Sequence, residues 1–178
     1  MASIFAFKCS RCGEMHEGSP SFAFHSPDQY AGLSEEQKAE MGWLTDDFCT
    51  IRHDEGTDRF VRAVLEVPIH GVKEPFLWGI WVSLSKKSFE RVRATFSEPE
   101  EGETFFGWVC NSISAYPHGN PRPSDVVVRA GKNRPKAILH RADMEDDQLV
   151  LDQVNGISVA RAQALAESAL HEARSSIE

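Results

Sequence analysis

Two apolar stretches with strand periodicity lie close together near the middle of the chain. Residues 59–69 read Arg-Phe-Val-Arg-Ala-Val-Leu-Glu-Val-Pro-Ile, and their alternation places one set of side chains on one face: Val61, Ala63, Leu65 and Val67. Residues 75–84 alternate in the same way, and the side chains that lie on one face are Phe76, Trp78, Ile80, Val82 and Leu84. Because only a short connection containing Gly71 separates them, the two stretches are predicted to form an antiparallel hairpin.

The remaining patterns predict further strands and several helices. Residues 104–110 have the composition of a third central strand, and residues 125–130 and 136–140 of a second hairpin. A capping-box sequence at Ser34 predicts a short helix that ends near Gly42, and the spacing over 85–96 predicts another. Strands in meander order with helices between and after them indicate an α+β fold, a central antiparallel sheet with flanking helices.

The length of the chain suits one domain over residues 1–178. Within it we distinguish an N-terminal knuckle over residues 1–25, a central sheet region over 59–140 and C-terminal helices over 144–175. The last helix has a narrow, alanine-rich apolar stripe with Ser158 as its expected N-cap. We expect this stripe to pack on the sheet of its own chain, and a homodimer through it is the alternative to a monomer.

The N-terminal segment has the spacing of a metal-binding knuckle, Cys9-Ser-Arg-Cys12-Gly13-Glu-Met-His16. Gly13 allows a tight turn that points both thiolates at one position, and His16 is close enough to join them. Zinc takes four such ligands in a tetrahedron, so this segment supplies three of them.

The fourth zinc ligand has to come from elsewhere, and Cys49 is the best candidate because it directly precedes the first long strand. His53 and His25 are alternatives to His16, and Cys110 is an alternative to Cys49. The simpler interpretation of Cys9 and Cys12 is a metal-free turn. A redox pair is disfavoured, since such pairs sit at the start of a helix and none is predicted here.

The net charge and the N-terminal sequence limit the expected location of the protein and the kinds of partner that it binds. The N-terminus lacks the pattern of a signal peptide and no stretch is apolar enough to span a membrane, so a cytoplasmic location is expected. Thiols stay reduced there, which favours ligands or buried thiols over disulfides. The net charge of −8 disfavours a general nucleic-acid binder.

Several blocks of sequence together resemble a bacterial family. These blocks are Phe7-x-Cys9-x-x-Cys12-Gly13-x-x-His16, Asp47-x-Cys49, Phe60-Val-Arg62, Glu66-Val-Pro68, Trp78-Gly-Ile-Trp81-Val-Ser-Leu, Phe106-Gly107, Tyr116-Pro117 and Arg134-Pro135. The chain resembles domain-of-unknown-function family 2199 over roughly residues 5 to 165. The resemblance implies that Cys9, Cys12, His16 and Cys49 act as a set, and it implies no activity.

We therefore expect a zinc-binding protein whose metal is structural and whose role is to bind a protein or a small ligand. Enzymatic activity is left open, because the chain has none of the sequence motifs that mark zinc proteases, serine hydrolases, dinucleotide sites or phosphate loops. The alternative is a zinc-dependent hydrolase, in which three protein ligands leave water in the fourth position.

A third possibility is weak nucleic-acid or anion binding through a basic strip over residues 129–141. This strip carries Arg129, Lys132, Arg134, Lys136 and Arg141. Its simpler interpretation is charge that protects edge strands from pairing with other chains. The tryptophans Trp43, Trp78, Trp81 and Trp108 are expected to pack in the core or at its rim, with a ligand pocket as the alternative.

Overall fold

The computed structural model describes residues 4–117, 121–131, 133–142, 144 and 146–175, with side chains described up to residue 170. These residues form ten strands and five helices. The strands are β1 (Ala6–Lys8), β2 (Met15–Glu17), β3 (Ser21–Ala23), β4 (Gly42–Leu44), β5 (Phe48–His53), β6 (Gly56–Val67), β7 (Phe76–Leu84), β8 (Thr104–Val109), β9 (Arg122–Val127) and β10 (Lys136–Leu139). The helices are α1 (Asp28–Ala31), α2 (Glu35–Met41), α3 (Lys86–Ala94), α4 (Gln148–Asn155) and α5 (Val159–Ser175).

The predicted central hairpin is confirmed as the antiparallel pair β6–β7. Its register runs from Phe60 opposite Ser83 to Val67 opposite Phe76. This register puts the two predicted apolar faces on the same side of the pair, and every residue of both faces is buried. The alternation in the sequence was sufficient to identify the inner face because side chains on a strand alternate strictly between its two sides.

The sheet then closes into a small barrel. Strands β7, β8, β9 and β10 follow one another with antiparallel pairing, and β10 returns to pair in parallel with β6 at Lys136 and Val64. Because β9 and β10 each have two neighbours, neither is an edge strand. The interpretation of the basic strip as edge protection is therefore wrong.

Shorter strands extend this barrel or stand apart from it. Strands β5 and β4 continue the sheet from the first half of β6, and β3 pairs in parallel with the first half of β7. Strands β1 and β2 form a separate two-stranded sheet. The predicted α+β class with an antiparallel central sheet, flanking helices and an N-terminal knuckle is thus confirmed.

Two groups of buried side chains stabilise the molecule. The main core fills the inner face of β6 and β7 and receives apolar residues from α3, α4 and α5. The last helix contributes Ala162, Leu165 and Ala166, which confirms that its stripe packs on its own chain. The second cluster lies apart from the main core and consists of Cys49, Ile51, Phe60, Trp81 and Cys110.

Helix starts follow their predicted caps with one shift. Ser34 forms the expected capping box with Gln37, and Ser158 accepts a hydrogen bond from the backbone N–H of Arg161. Helix α4, predicted from residue 144, begins only at Gln148, because the Asp147 carboxylate accepts from two backbone N–H groups of its first turn. Strand β9 begins at Arg122, three residues before the strand predicted from residue 125, and residues 118–120 lie outside the described residues. Among the described residues, no helix is long and apolar enough to cross a membrane.

Candidate metal centre

The N-terminal knuckle is built by backbone hydrogen bonds around one glycine. The N–H of Cys9 donates to the carbonyl of Glu14 at 2.8 Å, and the N–H of Gly13 donates to the carbonyl of Cys9 at 2.9 Å. Gly13 has φ of 74°, a left-handed conformation that side chains with a Cβ rarely adopt. The chain therefore reverses between β1 and β2 while both cysteine side chains stay on one side.

The structure brings Cys9, Cys12 and His16 together. Their ligand atoms all lie within 4.8 Å of one another, and Cys12 Sγ is 3.8 Å from His16 Nε2. In a tetrahedral zinc site with Zn–S of about 2.3 Å and Zn–N of about 2.0–2.1 Å, ligand atoms are separated by roughly 3.5–3.8 Å. The three side chains thus fit a zinc ion with small adjustments, and the cysteine–histidine chemistry suits zinc.

The candidate centre is anchored to the main core by apolar side chains of the knuckle. Phe5, Phe7 and Cys9 are buried there, and Cys12 packs against the same core. Phe7 lies opposite His16 in the β1–β2 register, and their rings stack with centroids 5.1 Å apart. The stacking positions the imidazole over the hairpin, with His16 half-buried.

A contact from the last helix also positions the knuckle. Ser10, between the two cysteines, donates from its backbone N–H and its hydroxyl to the Glu167 carboxylate at 2.7 and 2.6 Å. These hydrogen bonds, with one from Gln163, lower the pKa of Glu167 to about 2. Gln163 also donates to the carbonyl of Lys8. Sequence reasoning missed Glu167, because it lies 157 residues from Ser10 and nothing local marks it.

Cys49 is not part of this group. It lies on β5, fully buried in the second cluster, whereas Cys9 belongs to the main core. Burial raises the pKa of the Cys49 thiol to about 12, as expected for a thiol enclosed among apolar side chains. The structure joins the knuckle to the rest of the molecule through the main core and through α5. The choice of Cys49 as the fourth ligand had suggested a link to the start of the central sheet.

The alternative ligands also lie elsewhere. His53, the last residue of β5, pairs with Asp58 of β6 at 3.0 Å, and His25 is exposed after β3. Cys110 is buried, and its thiol donates to the carbonyl of Trp108. A carboxylate near the candidate centre is that of Glu14, with Oε2 3.9 Å from Cys12 Sγ.

The other residues that the sequence singled out divide between core and surface. Trp78 and Trp81 are buried as expected, whereas Trp43 and Trp108 are 38% and 44% exposed. In the basic strip, Arg129 and Lys136 both pair with Glu66, and Lys132 lies outside the described residues.

Comparison with known proteins agrees with the sequence blocks. A family model described as "Uncharacterized protein conserved in bacteria (DUF2199)" matches residues 8–157. The match includes all three side chains of the candidate centre. No curated protein and no solved structure matches the chain.

Proposed function

We propose that this chain, which belongs to the DUF2199 family of uncharacterised bacterial proteins, binds one zinc ion through Cys9, Cys12 and His16. The observation that carries the proposal is the convergence of two thiols and one imidazole within 4.8 Å on a glycine-turned knuckle. A thiolate site needs a reducing compartment, so the cytoplasm is the location that we propose.

The role that we propose for the metal is structural. Strands β1 and β2 are three residues each, and an isolated hairpin of this size is marginally stable. Zinc would join the end of β1, the turn and the middle of β2 through Cys9, Cys12 and His16. The hairpin in turn holds Phe5 and Phe7 in the main core and Ser10 against Glu167. Metal affinity would thereby contribute directly to the stability of the fold.

A binding role is favoured over catalysis by the surroundings of the candidate centre. Glu17, the neighbour of His16 in sequence, is on the same strand, so its side chain points to the opposite side of the hairpin. It is therefore badly placed to act as a general base on a water at the metal. The ligand of such a binding protein is a protein or a small molecule.

One observation favours a second candidate, a zinc-dependent hydrolase. Within the part of the chain that the structure describes, only three ligating side chains come together. A zinc ion held by three protein ligands binds water in the fourth position and lowers its pKa to about 7. Glu14, close to Cys12, would then be the carboxylate available for proton transfer.

Metal content and ligand count test both candidates. We expect elemental analysis of protein purified without chelator to find about one zinc per chain, and Cys12→Ser to lose it. Cys110→Ser is the matched control, and Cys49→Ser is expected to keep zinc because its thiol lies in the second cluster. Wild-type protein without any transition metal contradicts the proposal, and loss of zinc in Cys49→Ser makes Cys49 the fourth ligand.

Cobalt substitution separates the structural from the hydrolytic role. The visible spectrum of the Co²⁺ form reports coordination, and an exchangeable water makes it shift when azide or cyanide is added. We expect no such shift if a protein group closes the site. A shift together with zinc-dependent ester or phosphoester hydrolysis that Glu14→Gln abolishes would establish the hydrolase instead.

A further inference from the structure

A cleft on the outside of the barrel collects arginine side chains. It has a volume of about 620 Å³ and lies beside β6, α3 and the turn between β9 and β10. Its lining consists of Asp47, Val64, Phe96, Ser97, Arg129, Asn133 and Arg134. The guanidinium groups of Arg129 and Arg134 remain accessible, with side chains 33% and 38% exposed.

Carboxylates hold these two arginines through only some of their nitrogens. Arg134 Nε donates to Asp47 at 2.7 Å, and Arg129 donates from Nη1 to Glu66 at 2.8 Å and from Nε to the carbonyl of Arg134 at 2.7 Å. Glu66 is shared, because its other oxygen accepts from Lys136 at 2.8 Å. Among the described contacts, both terminal nitrogens of Arg134 and one of Arg129 have no partner. The ion pairs therefore fix the planes of the two guanidiniums and leave donors for a ligand.

A third arginine lies next to this pair. The backbone N–H of Arg62 donates to the carbonyl of Asp47, and its Nη1 donates to the carbonyl of Asp46 at 3.3 Å. Its Nε is enclosed and has no hydrogen-bond partner among the described residues. Burial, followed by the positive charge of Arg134, lowers the pKa of Arg62. Two guanidiniums so close repel each other, and a bound anion would relieve the repulsion.

The charges around the cleft do not cancel. Four cations face two paired carboxylates, with Asp46 as a further negative charge near Arg62. The cations are Arg62, Arg129, Arg134 and Lys136, and the paired carboxylates are Asp47 and Glu66. This local excess occurs on a chain with a net charge of −8. A network serving only to tie strands together would not need guanidinium donors left free at an open cleft.

We propose that the cleft binds a phosphate group through Arg129 and Arg134, with the neighbouring Arg62 adding positive charge. Planar guanidiniums with several free donors match the several oxygens of a phosphate better than they match a spherical halide ion. The cleft volume lies in the usual range of about 300–1,000 Å³ for small-molecule sites. Phe96 and Val64 provide an apolar wall that the organic part of a phosphate ester could contact. The ligand is therefore either free phosphate or a phosphate ester of a small molecule.

This inference gives a ligand class to the binding role proposed above and is independent of the metal. Phosphate binding in the cleft also differs from diffuse attraction by the basic strip, because it depends on the geometry of the cleft and not on the number of positive charges. Arg141 provides the matched control, since it belongs to the strip but does not line the cleft. A polynucleotide is disfavoured by the overall negative charge.

Calorimetric titration of the full-length protein with inorganic phosphate, at fixed ionic strength in chloride, tests the proposal. We expect one saturable site per chain with a dissociation constant below about 1 mM, which Arg134→Gln and Arg129→Gln weaken about tenfold or more. Arg141→Gln should bind within about twofold of the wild type. Absence of saturable binding by the wild type, or equal weakening by Arg141→Gln, overturns the proposal.

A second variant keeps the test informative if loss of an ion pair impairs folding. Ser97 lines the cleft, is exposed and takes part in none of these ion pairs, so Ser97→Asp adds a repelling charge without removing a contact. It should weaken phosphate binding about tenfold while leaving the unfolding curve in chloride unchanged. Unchanged phosphate affinity in this folded variant contradicts the proposal.

Two further measurements identify the ligand and separate this site from the metal. Tighter binding of phenyl phosphate than of inorganic phosphate assigns the site to an ester that contacts Phe96, and equal binding assigns it to free phosphate. Zinc content should be the same in Arg134→Gln and in the wild type. A failure of phosphate binding with one zinc per chain would therefore leave the metal proposal standing.

Discussion

Replacement of Trp81 by alanine is the sharpest test of the second cluster. The indole, carried by β7, is fully buried in the second cluster among the side chains of Cys49, Ile51 and Phe60. Its Nε1 donates to the carbonyl of Phe24 at 3.1 Å, a contact that joins the barrel to the segment after β3. The substitution therefore removes apolar packing and a buried hydrogen bond at the same time.

The expected loss of stability is about 4 kcal/mol. A buried indole removes roughly 200 Å² from water, worth roughly 5 kcal/mol at about 25 cal/mol per Å², and alanine keeps a small part of this. The lost hydrogen bond leaves the carbonyl of Phe24 unpaired at a cost of about 1 kcal/mol, while partial collapse of the cavity returns some energy. Measured substitutions of buried Phe or Trp by alanine cost about 3–5 kcal/mol.

Urea unfolding followed by far-ultraviolet circular dichroism measures this loss. Trp43→Ala is the control, because Trp43 is 38% exposed and rests against Arg93, so its truncation should cost less than about 1 kcal/mol. Zinc content should not change in either variant. A loss within about 0.5 kcal/mol for Trp81→Ala, or equal losses for the two variants, would refute the assignment of Trp81 to a packed cluster.

The remaining predictions concern a buried hydrogen bond, a close backbone approach and the last helix. Tyr116→Phe removes the hydroxyl that donates to Asp152 at 2.7 Å. The free energy of unfolding in urea should fall by about 1–2 kcal/mol, and an unchanged value would mean that the remaining partners of Asp152 suffice. Gly107→Ala would place a Cβ 2.5 Å from the carbonyl oxygen of Ser83, so it should destabilise by at least about 1–3 kcal/mol in the same assay. Deletion of residues 158–178 should lower the melting temperature without changing zinc stoichiometry, and a truncated chain of unchanged stability that only shifts from dimer to monomer by light scattering would contradict the packing of α5 on its own chain.

What the sequence determined by itself is local. Alternation in 59–69 and 75–84 identified the buried face of β6 and β7, because side-chain direction on a strand depends only on position along it. The capping box at Ser34 and the cap at Ser158 marked two helix starts, since a cap acts within one turn. The group of Cys9, Cys12 and His16 could be predicted for the same reason, as one glycine turn brings all three together.

Tertiary structure alone decided which distant residues meet. The parallel pairing of β10 with β6 closes the barrel and turns the supposed edge strands into interior ones, a choice that no pattern within either strand encodes. Closure also brings Arg129 and Arg134 to the cleft near Arg62. The packing of α5 sets Glu167 against Ser10, and Cys49 goes to a separate cluster despite its plausible spacing. Spacing along a chain limits which contacts are possible, whereas the choice among them comes from burying many apolar faces at once.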